Sequence, residues 1–209
     1  MKNNKKWRLP IIILSVFCLT ALIILVKAGL TNSINDEILH WFMAERTASR
    51  TLFMQIITHL GDWYAYTALC IALILPKKTR NFGISLGLLL LFSDGVKTGL
   101  KEVLRVPRPL LSQLVHASGY GFPSGHTMAA TACAFWCIRS LLKTEKHKKW
   151  QILLTVLCLL MAALIATSRV YLGVHNPTDI LGGLLAITAT FLIYIGLHEK
   201  YLKKRLEHH

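Results

Sequence analysis

The stretch WQILLTVLCLLMAALIATS (Trp150 to Ser168), RVYLGVHNPTD (Arg169 to Asp179), ILGGLLAITATFLIYIGL (Ile180 to Leu197) decides the fold. An uncharged run of 19 residues and an uncharged run of 18 flank a short loop that holds a cation, an imidazole and a carboxylate. A bilayer-crossing helix needs about 20 mostly apolar residues. The stretch therefore reads as two spanning helices with a polar loop at the membrane surface. Asn176 is a favoured N-cap and Pro177 a favoured first helical residue, which makes Asp179 the third residue of the second helix.

Working outward, Leu9 to Val26 is a third uncharged run, 18 residues long. Ser124 to Leu142 is broken only by Arg139 near one end, where a long cation reaches the headgroups. Asn81 to Leu104 carries Asp94, Lys97 and Lys101 at i, i+3 and i+7, one polar face on an apolar helix. Trp63 to Pro76, only 14 residues between Asp62 and Lys77, must borrow from Ile56 to Gly61 to cross. The expectation is an all-α polytopic membrane protein with six transmembrane helices. Between the first two spans, Ile34, Ile38, Trp41 and Phe42 alternate with Asp36, Glu37 and Glu45, which suggests an amphipathic segment lying in the interface.

Cations set the orientation. Lys2, Lys5, Lys6 and Arg8; Lys77, Lys78 and Arg80; Lys143, Lys146, Lys148 and Lys149; and Lys200, Lys203, Lys204 and Arg205 fall in alternate connections. The positive-inside rule makes these cytoplasmic, with both termini inside a cell membrane. The formal charge of +14 is thereby explained by topology rather than by a nucleic-acid surface. Val26-Lys27-Ala28 mimics a signal-peptide cleavage site, but the apolar core is long for one, so an uncleaved span is expected. Cys18, Cys70, Cys133, Cys137 and Cys158 all sit in apolar runs, without zinc or redox spacing, and read as packing residues. Without repeats or long linkers, residues 1–205 read as one domain, and Leu206 to His209 as a tag remnant. Gly83-x-x-x-Gly87, Gly95-x-x-x-Gly99 and Gly182-Gly183 suggest close helix contacts.

With this topology three polar segments meet on the outer face: Lys101 to Pro109 (KEVLRVPRP), Pro123 to His126 (PSGH) and Ser168 to Asp179 (SRVYLGVHNPTD). Lys101, Arg108 and Arg169 are the fixed positive charge that a transferring phosphoryl group demands, with Arg supplying a two-pronged donor. PSGH opens a helix, so its free N–H groups form an anion site, to which the Ser124 hydroxyl adds a donor and where Gly125 permits close approach. Asp179 either caps its own helix or folds back onto His175; in the latter case it fixes the ring tautomer and leaves the other nitrogen as nucleophile.

Lys, six residues, Arg-Pro; Pro-Ser-Gly-His; then Ser-Arg, five residues, His, three residues, Asp: in this order and spacing the pattern resembles the signature of the type 2 phosphatidic acid phosphatase superfamily. The resemblance implies that His175 attacks phosphorus, Asp179 orients it, and His126 protonates the leaving oxygen. Lys101, Arg108, Ser124, Gly125 and Arg169 would hold the phosphoryl oxygens, with no metal or other cofactor. The implied substrate is a lipid phosphate or diphosphate, undecaprenyl diphosphate or phosphatidylglycerophosphate in short six-span members, and no protein partner is called for. Transfer to another lipid or sugar is the alternative enzyme reading. A transporter would place its ionisable groups near the bilayer midplane rather than at helix ends, and a silent lipid-binding scaffold would lack His175 or His126.

Overall fold

Eight α-helices follow from the apolar runs and their punctuation in the computed structural model, which describes residues 6–110, 113–144 and 147–202. They are α1 (Arg8–Lys27), α2 (Asn32–Ala44), α3 (Ala48–His59), α4 (Trp63–Ile74), α5 (Arg80–Leu104), α6 (Gly125–Thr144), α7 (Lys148–Tyr171) and α8 (Pro177–Leu197), which runs into a π-helical turn, His198–Leu202. Residues 2, 5, 146 and 203–205, whose charges entered the orientation argument, and the tag-like residues 206–209 lie outside the described residues.

Four helices are long and apolar enough to cross a bilayer: α1, α5, α7 and α8 with its terminal turn. The 20-residue α6 matches them in length, but His126, Thr127, Thr131, Arg139 and Ser140 make it more polar. The 12-residue α4 is apolar but short. It does not borrow from Ile56 to Gly61 as its length seemed to require. α3 stops at His59, and a turn through Leu60, Gly61 and Asp62 separates the two helices. The segment between α1 and α4 forms two helices of 13 and 12 residues, joined at Thr47, whose hydroxyl caps α3.

α8 is the most enclosed helix. It packs on α1, α5 and α6, while α7 lies against α6 and α3, and α4 against α5. Leu86 and Leu89 of α5, Met128, Ala132 and Trp136 of α6, and Ala186, Ile187 and Tyr194 of α8 form one buried cluster. Tyr194 ties its hydroxyl to the Ser85 carbonyl at 2.6 Å, so the buried polar tip is satisfied. Two of the glycine expectations hold. A Cβ on Gly182 would lie 2.3 Å from the Phe122 ring, and one on Gly83 would lie 2.9 Å from Leu73 Cβ. Gly95 and Gly99 do not hold: among the described residues no heavy atom comes within 4 Å of a Cβ built there, since none of the described helices covers that face of α5. Outward faces stay apolar, with Ile13, Leu14 and Phe17 on α1 and Ile152, Val156 and Leu160 on α7 exposed. Such a continuous apolar exterior is uncommon in a water-soluble monomer and suits hydrocarbon.

Opposite ends of the bundle differ in chemistry. At one end Glu199 joins Arg8 at 2.9 Å and Arg139 at 2.5 Å, locking α1, α6 and the terminal turn together. The C-terminal ends of α5 and α7, the starts of α6 and α8 and the α3–α4 turn share contacts at the other end. There Lys27 donates to the Leu104 carbonyl at 3.0 Å, satisfying an end group of α5. α5 stops because Arg105 takes a left-handed backbone, φ 47°, and Pro107 follows.

Candidate active site

The start of α8 sets the geometry. Asn176 caps the helix and Pro177 opens it, as the spacing suggests, and the two readings of Asp179 prove to be one arrangement. Asp179 Oδ2 accepts the Asn176 backbone N–H at 2.9 Å and also meets His175 Nδ1 at 3.0 Å. The capping box therefore holds the carboxylate that holds the imidazole. Both side chains are buried, His175 at 2% exposure and Asp179 at 0%. A Cβ on Gly121 would press to 3.0 Å from that same oxygen and 3.1 Å from the Pro107 carbonyl, so a larger residue there would push on the carboxylate or the facing backbone.

On the other side of the ring, Arg108 Nη1 lies 3.1 Å from His175 Nε2. A guanidinium can only donate, so Nε2 must offer its lone pair and the ring proton must be on Nδ1, facing Asp179. The tautomer is thus set from both sides. Burial, then Arg108, Arg169 and Lys101, hold His175 well below its ordinary pKa, with the Gly121 carbonyl pulling weakly the other way. Held in this way, the imidazole keeps its lone pair on Nε2, where Arg108 engages it.

Loop carbonyls fix the cations. Arg108 donates to Val174 O at 2.7 Å, Ser118 O at 2.9 Å and Gly119 O at 3.1 Å, which stitches the long α5–α6 loop to the α7–α8 loop. Burial lowers its guanidinium from the ordinary value, and Asp179 partly restores it. Lys101 reaches Tyr120 O at 2.6 Å. Arg169 is buried and donates to Thr58 Oγ1 at 2.6 Å, while its Nε has no hydrogen-bond partner among the described residues. A buried guanidinium N–H left unpaired is costly unless a ligand engages it.

PSGH opens α6 beside these groups. Ser124 N donates to the Asp179 carbonyl at 3.0 Å, fastening the start of α6 to the first turn of α8. The Ser124 hydroxyl is fully buried and accepts from Thr127 Oγ1 at 3.0 Å, which leaves its own proton to donate. Gly125 allows a close approach, by the Lys97 stem: a Cβ there would stand 2.9 Å from Lys97 Cδ. Lys97 is paired with Asp94, as the i, i+3 spacing suggests.

His126 meets a residue outside the three motifs. Its Nε2 lies 2.9 Å from Asp62 Oδ1, at the turn between α3 and α4. The other carboxylate oxygen of Asp62 accepts from the Tyr64 hydroxyl at 2.6 Å and meets His59 Nδ1 at 2.8 Å. Burial would raise the Asp62 carboxyl, but hydrogen bonds from Tyr64 and His59 and the contact with His126 hold it below its ordinary value. In the sequence Asp62 marks only a helix boundary and Thr58 nothing at all. The discoverable signal was His59, Asp62 and Tyr64 within six residues around Gly61, at the end of the bundle that carries PSGH. Asn35 of α2 was equally silent: its amide donates to Thr178 Oγ1 at 3.0 Å and its carbonyl accepts from Thr178 N at 3.3 Å, bracing the first turn of α8.

All eight motif side chains or backbones thus lie in one linked cluster: a neutral imidazole with a fixed lone pair, a second imidazole on a carboxylate, three cations, and a helix start. Comparison with known proteins agrees with that chemistry. A family model described as the PAP2 superfamily matches residues 82–202, more than half of the chain. Phosphatidylglycerophosphatase B of Bacillus subtilis is 38% identical over 128 residues, 57% of this chain and 61% of that protein, so the match spans about three fifths of the relative's length. Undecaprenyl-diphosphatase of Sulfolobus acidocaldarius is 26% identical over 181 residues, 83% of this chain and 84% of that protein. A crystal structure of a transmembrane PAP2-type phosphatidylglycerolphosphate phosphatase from Bacillus subtilis superposes with TM-score 0.81 at 27% identity, covering 92% of this chain and 98% of the other. Its three motifs, the ends of the helices that carry them and the match over residues 82–202 together make this chain a member of the PAP2 superfamily.

Proposed function

We propose that the chain is a membrane lipid phosphatase that removes phosphate from a lipid phosphomonoester or diphosphate through a phosphohistidine. The observation that carries this reading is His175, pinned between Asp179 on Nδ1 and Arg108 on Nε2. In the first step the Nε2 lone pair forms a bond to phosphorus as the bond to the lipid oxygen breaks, and protonated His126 gives its proton to that oxygen. In the second, water attacks phosphorus, His126 takes the water's proton, and the P–N electron pair returns to Nε2. Lys101, Arg108 and Arg169, with the Ser124 hydroxyl and the backbone N–H groups at Gly125, answer the charge on the phosphoryl oxygens, so the scheme calls for no metal.

Undecaprenyl diphosphate and phosphatidylglycerophosphate, the substrates in the relatives' names, are the first to test. In this reading residues 1–205 form one unit, α4 and α6 join the four longer apolar helices to make six spans, and α2 and α3 lie in the interface. Both termini are then cytoplasmic and the cluster faces the outer leaflet, since cationic connections flank its opposite end. The test is inorganic phosphate release by detergent-purified protein from both lipids, with a chelator present, alongside His175→Ala. Release by the wild type and none by the variant is expected, with an acid-labile phosphoenzyme trapped from the wild type. Failure to release phosphate from either lipid, or wild-type activity in His175→Ala, would overturn the proposal.

A further inference from the structure

The end of α3 and the turn into α4 lie outside the three motifs and outside residues 82–202, yet they touch two of the proposed site residues. Asp62 Oδ1 lies 2.9 Å from His126 Nε2, and Thr58 Oγ1 accepts from Arg169 at 2.6 Å. Between them Gly61 packs on the imidazole itself: a Cβ there would stand 2.8 Å from His126 Cδ2 and 2.7 Å from Ile165 Cγ2. The carboxylate is aimed by its other oxygen, which holds Tyr64 and His59. Asp62 is thus fixed from behind and presents one oxygen forward.

We infer that Asp62 is a positioning residue for the proton donor, a second carboxylate–imidazole pair that sets the orientation and charge of His126 as Asp179 sets the orientation of His175. The inference rests on the phosphatase reading above. With Nε2 engaged by Asp62, Nδ1 is the ring nitrogen left for the reaction. Once it holds a second ring proton, His126 transfers its Nδ1 proton to the lipid oxygen while the P–O bond breaks, and Asp62 offsets part of what burial and Arg169 cost that cation. In the hydrolytic step Nδ1 takes the proton of the attacking water, and the same carboxylate stabilises the charge that forms. Two helices meeting at one glycine give the pair its geometry, so the first part of the chain contributes to the chemistry and not only to the fold.

A proton donor matters in proportion to how poorly the leaving group departs as an anion. A lipid alkoxide needs the proton, whereas nitrophenolate does not. The test compares kcat/KM, which reports on transfer to His175 and excludes the shared hydrolytic step, for phosphatidylglycerophosphate and p-nitrophenyl phosphate in wild type, Asp62→Asn, Asp62→Glu and His175→Ala. Asp62→Asn is expected to lose about 10- to 100-fold on the lipid, part of the acid–base contribution, and less than about 3-fold on the aryl ester. Asp62→Glu, which keeps the charge, recovers part of the loss. Equal losses on both substrates, or undiminished lipid turnover, would refute the positioning role while leaving the phosphatase reading intact. A wild type inactive on both substrates removes that reading and this inference with it. Should Asp62→Asn elute as an aggregate in detergent, Asp62→Ser is read by the same leaving-group comparison.

Discussion

Replacing Asp179 by Asn is the sharpest probe of the site, because the structure separates what the residue does for folding from what it does for chemistry. Oδ2 carries both the His175 and the Asn176 contacts, while Oδ1 is buried without a partner. An amide can place its carbonyl at Oδ2, keeping the cap and the ring tautomer, with its NH2 where Oδ1 has no neighbour to receive it. That orientation leaves buried donors unpaired, at a cost of about 1–3 kcal/mol. Turned over, the amide loses the cap and points N–H groups at Nδ1, which forces the ring proton toward the Arg108 N–H. In either orientation the negative charge beside the ring is gone when phosphorylation makes the imidazole cationic. At about 4 Å and an effective dielectric near 20 that charge is worth about 4 kcal/mol, and thus about 10³-fold in rate. Phosphate release from micellar phosphatidylglycerophosphate, with thermal unfolding followed in the same detergent, measures both parts. The expected result is a collapse of kcat with a fall in Tm of only a few degrees. Activity within tenfold of wild type would show that the carboxylate does not orient or support the nucleophile.

Two further outcomes follow from the packing and the electrostatics. Gly182→Ala puts a methyl 2.3 Å from the buried Phe122 ring, an overpacking worth about 1–3 kcal/mol; a lowered Tm restored by a second change, Phe122→Leu, is expected, and an unchanged Tm would contradict the packing at the start of α8. His175, held well below its ordinary pKa by burial and the cations, should stay neutral with its proton on Nδ1 from pH 7.5 down to 5.5, as read by ¹⁵N-histidine NMR. The unfolded chain takes up that proton near pH 6.5 and the folded one does not, so this residue's contribution to stability weakens as pH falls through that value. A titration midpoint at 6.5 in the folded protein would contradict the lone-pair assignment.

Much of the site was legible because it is local. Asn176, Pro177 and Asp179 are a helix start written in four residues, and His175 is placed by that start. Lys101 lies in the last turn of α5 and Arg108 just past Pro107, by which that helix must have ended, and PSGH begins the next apolar helix. What stayed hidden is contact between residues far apart in the chain. Asp62 and His126 are 64 positions apart, Thr58 and Arg169 111, and Asn35 and Thr178 143. No periodicity links such pairs, and each partner has an innocent local reading as a boundary, a helix residue or a cap. Helix contact by small residues was half legible for the same reason: spacing permits approach at Gly95 and Gly99, but only a partner in the right place uses it, and there none is near.

The contact between Arg108 and His175 has one more consequence. A guanidinium donating into that lone pair also occupies it, so on the proposed mechanism the nucleophile is held sheathed until a substrate arrives. A neutral electrophile entering the site would meet a lone pair already engaged by a donor. An incoming phosphate, by contrast, would compete for the guanidinium with its own oxygens and so free the nitrogen proposed to attack it. Selection for an anion would thus be made before any bond is formed, by the same side chain that the proposed mechanism uses to steady the charge of the group being transferred.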